Sequence, residues 1–354
     1  MKALLLAGGK GTRLRPLTNK LPKPMVPIMG KPLIERVITK LKESGVTEVV
    51  LSTCYKSNYI KNYLNNGSKL GVKIDYVSED IPLGTGGAIK NSEKFFDDTF
   101  IVLNSDIVDN ISYRDFVKFH KKKGASVSIA MTKVKDPSQY GVIEFDHDKY
   151  INAFKEKPKA GETDSKWINA GAYVFEPEVF KEIPKNKVIS IEKDIYPLLL
   201  EKHYKIAAYE YNDYWIDVGT LKKYIQAHID ILHSSCNKFG KTNNISDIKN
   251  IIFKNKNVRI SPNAKIVGPV FIGNNSSIDD GAQIGPYTVI GSNCQINKMS
   301  TISRSVLWDR IKINENVNIA NSIIGSDCTI DKYCKLLNTA QVSNDYDNNN
   351  LLAI

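Results

Sequence analysis

The chain has 354 residues, 42% of them hydrophobic and 25% charged, a length for about two domains and a composition that excludes disordered, collagenous and fibrous classes. No stretch reaches the ~18 to 20 uninterrupted apolar residues of a membrane span, and the short apolar run in MKALLLAGGKGTR ends too early for a secretory signal. The net charge of +11 is spread over both halves of the chain, with only Lys121 to Lys123 forming a run, so it points to small polyanions such as phosphates and not to nucleic acid.

Residues 2–7, 48–53, 72–77 and 99–104 read as buried strands. Between the first two, PLIERVITKLKESG predicts a helix with Pro32 in its first turn, Leu33, Val37 and Leu41 on one face, and Gly45 as C-cap. Strand, helix, strand in this rhythm predicts an α/β, Rossmann-like and mostly parallel sheet, with ligands bound beyond the carboxyl ends of its strands.

After a polar stretch the period changes. Isoleucine recurs at 260, 266, 272, 278, 284, 290, 296 and 302, and a small or β-branched residue follows each by four positions: Ala264, Val270, Ser276, Ala282, Thr288, Cys294, Ser300 and Val306. A period of six suits neither helix nor strand; it suits a solenoid with three short faces per coil. The register slips near Trp308 and resumes at Ile313, Ile319, Ile324, Ile330 and Leu336. This pattern resembles the hexapeptide-repeat left-handed parallel β-helix; the handedness is implied by that resemblance. The expected organisation is a catalytic domain at 1–233, a linker at 234–257, a β-helix at 258–341 and a tail at 342–354.

Five cysteines (Cys54, Cys236, Cys294, Cys328, Cys334) form no CxxC pair and are odd in number, which argues against a disulfide framework or zinc site and suits a reducing cytoplasm. The five histidines fall in no ligand spacing and receive no role.

The loop Gly8-Gly9-Lys10-Gly11-Thr12-Arg13-Leu14 follows the first strand. Its glycines let backbone amides approach phosphate, although it matches neither the P-loop nor the dinucleotide fingerprint. In Leu21-Pro22-Lys23-Pro24-Met25 two prolines stiffen the chain around a lysine, orienting a point charge for phosphate. Together these elements resemble the signature of the sugar-1-phosphate nucleotidyltransferases. The resemblance continues in Pro82-Leu83-Gly84-Thr85-Gly86-Gly87-Ala88, Asn104-Ser105-Asp106, Phe154-Lys155-Glu156-Lys157-Pro158, Asn169-Ala170-Gly171 and Trp215-Ile216-Asp217-Val218-Gly219-Thr220. Ser105 stands where many members carry glycine. The family often appends a hexapeptide β-helix, so the likeness covers essentially the whole chain.

The resemblance implies that Leu6, Ala7, Gly8, Gly9, Gly11, Thr12, Gly84, Thr85 and Gly86 contact the nucleotide. It implies that Asn104, Gly141, Glu156, Lys157, Asn169 and Gly171 hold the sugar phosphate, and that Asp106 and Asp217 hold Mg²⁺. Arg13 and Lys23 are the expected catalytic cations. Read singly, Asp106 would be a helix N-cap and Lys157 a solvated loop lysine; their intact motifs favour the functional reading, whereas Trp215 reads as packing. A sugar 1-phosphate is already ionised, so the reaction asks for positioning and charge neutralisation and not for a general base. Glu79 upstream, the run Tyr140 to Asp146 and the β-helix tail look closest to mannose-1-phosphate guanylyltransferases. GTP with mannose 1-phosphate or a related manno-sugar is the expected substrate pair, and thymidylyl-, uridylyl- or adenylyl-transfer to glucose 1-phosphate the alternative. A non-catalytic sugar-nucleotide-binding subunit would have lost motif lysines or aspartates, and a hexapeptide acyltransferase would use a histidine in the solenoid, where none follows His233. The β-helix is expected to mediate homo-oligomer assembly.

Overall fold

The computed structural model describes residues 1–79, 81–159, 161–238, 250–342 and 352–354. The middle of the expected linker and most of the expected tail, 239–249 and 343–351, lie outside the described residues. In chain order the elements before the solenoid are β1 (Lys2–Leu6), β2 (Pro27–Ile28), β3 (Lys31–Pro32), α1 (Leu33–Glu43), β4 (Glu48–Thr53), α2 (Ser57–Leu64), β5 (Lys73–Ser78), α3 (Gly84–Asn91), β6 (Phe100–Asn104), β7 (Ile107–Asp109), α4 (Tyr113–Lys123), β8 (Val127–Lys133), β9 (Gly141–Phe145), β10 (Ile151–Glu156), β11 (Trp167–Phe175), α5 (Tyr196–Glu201), β12 (Ile206–Glu210), β13 (Trp215–Asp217) and α6 (Leu221–Lys238). The chain divides into two compact units. The first is Met1–Lys10, Pro22–Met25 and Leu33–Asp217; the second is Gly11–Leu21, Val26–Pro32 and Val218–Ile354.

In the first unit the four leucine- and valine-rich strands read from the sequence run parallel in the order β5-β4-β1-β6. Both faces of such strands are covered, so they carry continuous apolar runs; Ala3, Leu4, Leu5, Val49, Ile101 and Val102 are fully buried or nearly so. Beyond β6 the sheet changes character: β11 pairs antiparallel with β6, β8 and β9, and β9 with β10. The crossover rhythm that predicts parallel pairing ends after β6; four antiparallel neighbours, and β12 running parallel to β8, then widen the sheet to nine strands. The register aligns Leu6 with both Ser52 and Asn104, so the carboxyl ends of the three central strands finish in one row. A separate two-stranded ribbon, β7 with β13, places Asp217 opposite Ile107, the residue after Asp106.

The second unit is built on the solenoid. Ile260, Ile278, Ile296, Ile313 and Ile330 stack in register as one of three parallel ladders, giving a left-handed β-helix. Each coil turns its corners through left-handed residues; one corner stacks Asn257, Asn275, Asn293, Arg310 and Asp327, all with φ between 56° and 65°. Asparagine adopts this conformation at low cost, and its amide hydrogen-bonds to the next coil, Asn257 to Asn275 at 3.1 Å and Asn275 to Asn293 at 3.3 Å. The slip near Trp308 is a shortened coil: Ile278 pairs with Ile296 eighteen positions on, but Ile296 pairs with Ile313 only seventeen on. The small residues between isoleucines are buried where the chain turns. Ser276 shows why: its hydroxyl donates to Gly291 O at 2.8 Å and accepts from Cys294 N at 3.0 Å. Within this unit Trp308 Nε1 donates to Tyr224 Oη at 2.9 Å, and Tyr224 Oη donates to Pro27 O at 2.5 Å, joining α6 and the β2–β3 hairpin to the solenoid.

Candidate active site

The aligned strand ends open into a cavity of about 340 Å³. It is lined by Leu6, Gly8 and Gly9 after β1, Ser52 at the end of β4, Lys23 and Pro24, Glu79, Pro82, Gly84, Thr85 and Ala88, and Asn104, Ser105 and Asp106 after β6. This is the crevice beyond the carboxyl edge where open α/β sheets bind ligands. A Cβ at Gly9 would meet nothing within 4 Å, so its backbone faces open space. Ser105 compensates for the glycine usual at its position by bonding to the chain: its hydroxyl donates to Leu6 O at 2.8 Å and stitches the ends of β1 and β6 together.

Lys23 stands on the single turn Lys23–Met25 and is buried. Its ammonium donates to Asp106 Oδ2 and lies 3.8 Å from Asp217 Oδ1. Residues far apart in the chain thus converge: the ribbon presents two carboxylates, and the proline-flanked lysine reaches both. Among the described residues no group of three or more His, Cys, Asp or Glu gathers. Two carboxylates are oxygen donors of the kind a divalent cation would take. The residues present fit a divalent metal.

The loop from Pro82 to Gly87 enters α3 and is braced from behind. Glu79 accepts from Ser52 Oγ at 2.6 Å and from Leu83 N at 2.9 Å. Ile189 O accepts from Gly86 N at 2.9 Å, and Thr85 Oγ1 donates to Glu192 Oε2 at 2.7 Å while accepting from Ile191 N at 2.9 Å. A Cβ at Gly84, where φ is +74°, would sit 2.5 Å from Ile189 O. Gly84 and Thr85 therefore line the cavity while fixing the loop, and Gly86 lies buried outside the lining. Ala7 is also buried behind it, donating to Ser52 O at 2.8 Å.

Asn169 and Glu156 lie near Tyr173. Asn169 Nδ2 donates to Tyr173 Oη at 2.7 Å, and Asn169 Oδ1 accepts from Gly171 N at 2.9 Å. These residues form an irregularity in β11, where the register with β8 jumps between Asn169 and Tyr173. Trp215 holds the bulge through Nε1 to Ala170 O at 2.9 Å and packs edge-on against Tyr140, as its packing assignment requires. Burial pushes the Tyr173 hydroxyl well above its ordinary pKa, and the charges of Glu192, Glu156 and Asp106 add to the shift. Glu156 is raised too, by burial first and by Glu192 second. Gly141 makes room for it: a Cβ there would lie 2.9 Å from Glu156 Oε2. Lys157 takes a left-handed φ of +51°, its amide bonded to Tyr140 O at 3.0 Å, and its exposed ammonium lies 3.8 Å from Glu156 Oε1. Gly11, Thr12 and Arg13 belong to the second unit, on the turn Thr12–Leu14 with Gly11 at φ +62°; Arg13 is exposed. Sequence reasoning missed Glu192, Tyr173 and Ser52. Glu192 occupies a wide π-helical turn, Ile191–Ile195, of the kind that marks functional sites, but no spacing in SIEKD signals it.

His120 is buried between Ser128 and Glu176, and His228 between Tyr224 O and Met29 N, both away from the cavity lining. Among the described residues no helix is long and apolar enough to cross a membrane.

Residues 2–234 match the nucleotidyl transferase family, and residues 249–348 match the EIF2B subunit epsilon LbH domain. The chain is 35% identical to probable mannose-1-phosphate guanylyltransferase 3 of Oryza sativa subsp. japonica, over 98% of this chain and 91% of that protein. It is 31% identical to UTP–glucose-1-phosphate uridylyltransferase of Synechocystis, over 94% of this chain and 89% of that protein. Among solved structures, HddC from Yersinia pseudotuberculosis complexed with GMP-PN is similar at 33% identity and a TM-score of 0.56, covering 67% of this chain and 99% of that one. With its lysine and paired aspartates at the strand ends and a β-helix later in the chain, the chain belongs to the nucleotidyl transferase family, among its sugar-1-phosphate nucleotidyltransferases.

Proposed function

We propose that this chain transfers GMP from GTP to mannose 1-phosphate or a related manno-sugar 1-phosphate, releasing pyrophosphate. The observation that carries the reading is Lys23 bonded to Asp106 and within reach of Asp217 at the wall of the strand-end cavity; the guanylyltransferase relatives supply the choice of base and sugar. An oxygen of the sugar phosphate, already ionised near neutral pH, attacks the α-phosphorus, and the bond from that phosphorus to the β-phosphate bridging oxygen breaks. Catalysis is then alignment and neutralisation. Lys23 balances the charge of the triphosphate and the departing pyrophosphate, and Lys157 steers the incoming phosphate. The amides of Gly8 and Gly9 cradle phosphate oxygens, with Leu6, Ala7 and the braced turn Gly84-Thr85-Gly86 shaping the nucleotide site. Asn104, Gly141, Glu156, Asn169 and Gly171 hold the sugar. Asp106 and Asp217 would hold Mg²⁺, which when bound adds positive charge to the phosphates. We place this chemistry in 1–233, assign the β-helix to assembly of a homo-oligomer, and locate the protein in the cytoplasm. Cys294 and Cys328 are buried thiols, pushed up to about 11 by desolvation.

Turnover measured with GTP, ATP, UTP and dTTP against mannose 1-phosphate and glucose 1-phosphate tests the reading. GTP with mannose 1-phosphate is expected to exceed the other pairs by about 100-fold in kcat/KM, since a base read by hydrogen bonds is discriminated strongly; preference for UTP or dTTP overturns the guanylyl assignment.

The raised Glu156 carboxyl gives a pH dependence. A half-buried carboxylate beside Glu192 takes up its proton above the ordinary 4.5, and a protonated Glu156 loses its strength as an acceptor for sugar hydroxyls. KM for the sugar phosphate is therefore expected to rise, as pH falls, at a higher pH than an ordinary carboxylate would give. Glu192→Gln removes one raising charge and should move that rise to lower pH. An acid limb unmoved by Glu192→Gln would detach the shift from Glu192.

A further inference from the structure

The ribbon that carries the paired carboxylates is held at its far end by a buried ion pair. Asp109, the last residue of β7, lies opposite Trp215 of β13, while Asp217 at the other end of β13 lies beside Asp106. The Asp109 carboxylate is nearly inaccessible, its side chain 6% exposed, and Lys40 of α1 donates both to Oδ1 and, at 2.8 Å, to the Asp109 carbonyl. Ile111 N donates to the same Oδ1 at 2.8 Å and Tyr113 Oη to Oδ2 at 3.0 Å. The Lys40 ammonium also rests 4.4 Å from the centre of the Tyr113 ring. Beside this knot Tyr211 Oη accepts from Asn110 N and donates to Tyr214 O, both at 2.8 Å. Every hydrogen-bonding atom of Asp109's side chain is thus engaged, on a three-residue strand too short to hold its own register.

We propose that Lys40 and Asp109 are positioning residues, an electrostatic clamp that fixes the β7–β13 ribbon and thereby the distance between Asp106 and Asp217. The clamp touches neither substrate. It acts by immobilising a ribbon whose open end carries the two carboxylates, where a displacement near 1 Å can cost about 100-fold in rate. The inference rests on the reading of Asp106 and Asp217 as cation ligands.

An apolar replacement separates positioning from mere stability. Lys40→Met alone strands a buried carboxylate and is expected to destabilise the fold, whereas the double variant Lys40→Met with Asp109→Leu removes both charges and is expected to fold, as buried pairs replaced by apolar residues often do. Mn²⁺ binding to the full chain with GTP present, followed by the electron paramagnetic resonance of free Mn²⁺, is measured beside kcat. The double variant is expected to keep its circular dichroism and melting temperature yet bind Mn²⁺ about tenfold more weakly and turn over about tenfold more slowly, and Lys40→Arg to recover part of both. Wild-type affinity and kcat, within threefold, in a folded double variant would overturn the clamp. Should the double variant fail to fold, Tyr113→Phe deletes one hydroxyl bond to Asp109; a lower Mn²⁺ affinity supports the clamp and an unchanged one overturns it. Absence of Mn²⁺ binding by the wild type would instead refute the cation-site reading itself.

Discussion

Replacing Lys23 with alanine is expected to lower kcat by 100-fold to 1,000-fold while leaving the chain folded. The scale is that of deleting one preorganised donor aimed at developing charge in a site shielded from water. Lys23 is buried to 9% exposure and anchored between two carboxylates, so its ammonium is in place before substrate arrives and costs little reorganisation when charge moves onto the pyrophosphate. Without it Asp106 and Asp217 lose the ammonium that reaches both. Lys23→Arg should not restore the rate, because a planar guanidinium cannot occupy the volume of a compact ammonium. Steady-state pyrophosphate release checks both variants; near wild-type turnover for Lys23→Ala would remove this residue from the mechanism.

Gly171→Ala is the second large effect. Gly171 holds φ at +72°, and an added Cβ would sit 2.3 Å from Ile107 Cδ1 and 2.8 Å from Asn104 Nδ2. Ile107 is the residue paired with Asp217, and Asn104 lines the cavity, so relief of the clash pushes on both the ribbon and the wall. Backbone strain of about 1 to 2 kcal/mol and overpacking of about 1 to 3 kcal/mol together predict a loss of about 2 to 5 kcal/mol in urea titration. A roughly 100-fold fall in kcat/KM is expected beside it, from displacement of the reacting groups. Gly124→Ala is the control: its φ of +55° also favours glycine, but nothing lies within 4 Å of the added carbon. That variant should lose about 1 kcal/mol, the strain alone, with turnover intact. Equal activity loss in both would separate the effect from the Ile107 and Asn104 contacts.

Much of this was legible before the fold was known. Repetition made the solenoid readable, since an isoleucine every six residues leaves few architectures open, and even the skipped residue near Trp308 showed as a break in the count. The strand-end loops were readable because glycine and proline restrict the backbone wherever they stand. What escaped was whatever the antiparallel half of the sheet assembles. Glu192 and Tyr173 join Glu156 and Asn169 only because β11 bulges and a wide turn delivers a carboxylate to the back of α3. Neither event leaves a periodic trace. Gly86 and Thr85 were read as nucleotide contacts from their motif; their bonds to Ile189, Ile191 and Glu192 show a bracing duty that spacing alone does not reveal.

The solenoid's last rungs carry a consequence for solubility. A stack of parallel rungs ends in a row of unsatisfied amides and carbonyls able to recruit another chain, the hazard of every open sheet border. Here the ladder that finishes at Thr339–Gln341 is closed by Leu352–Ala353 running the opposite way, with Ile354 N bonded to Asn338 O at 2.9 Å. A reversed strand cannot template a further coil of the same hand, so these few residues act as a terminator that keeps one growing face from becoming the seed of a fibre.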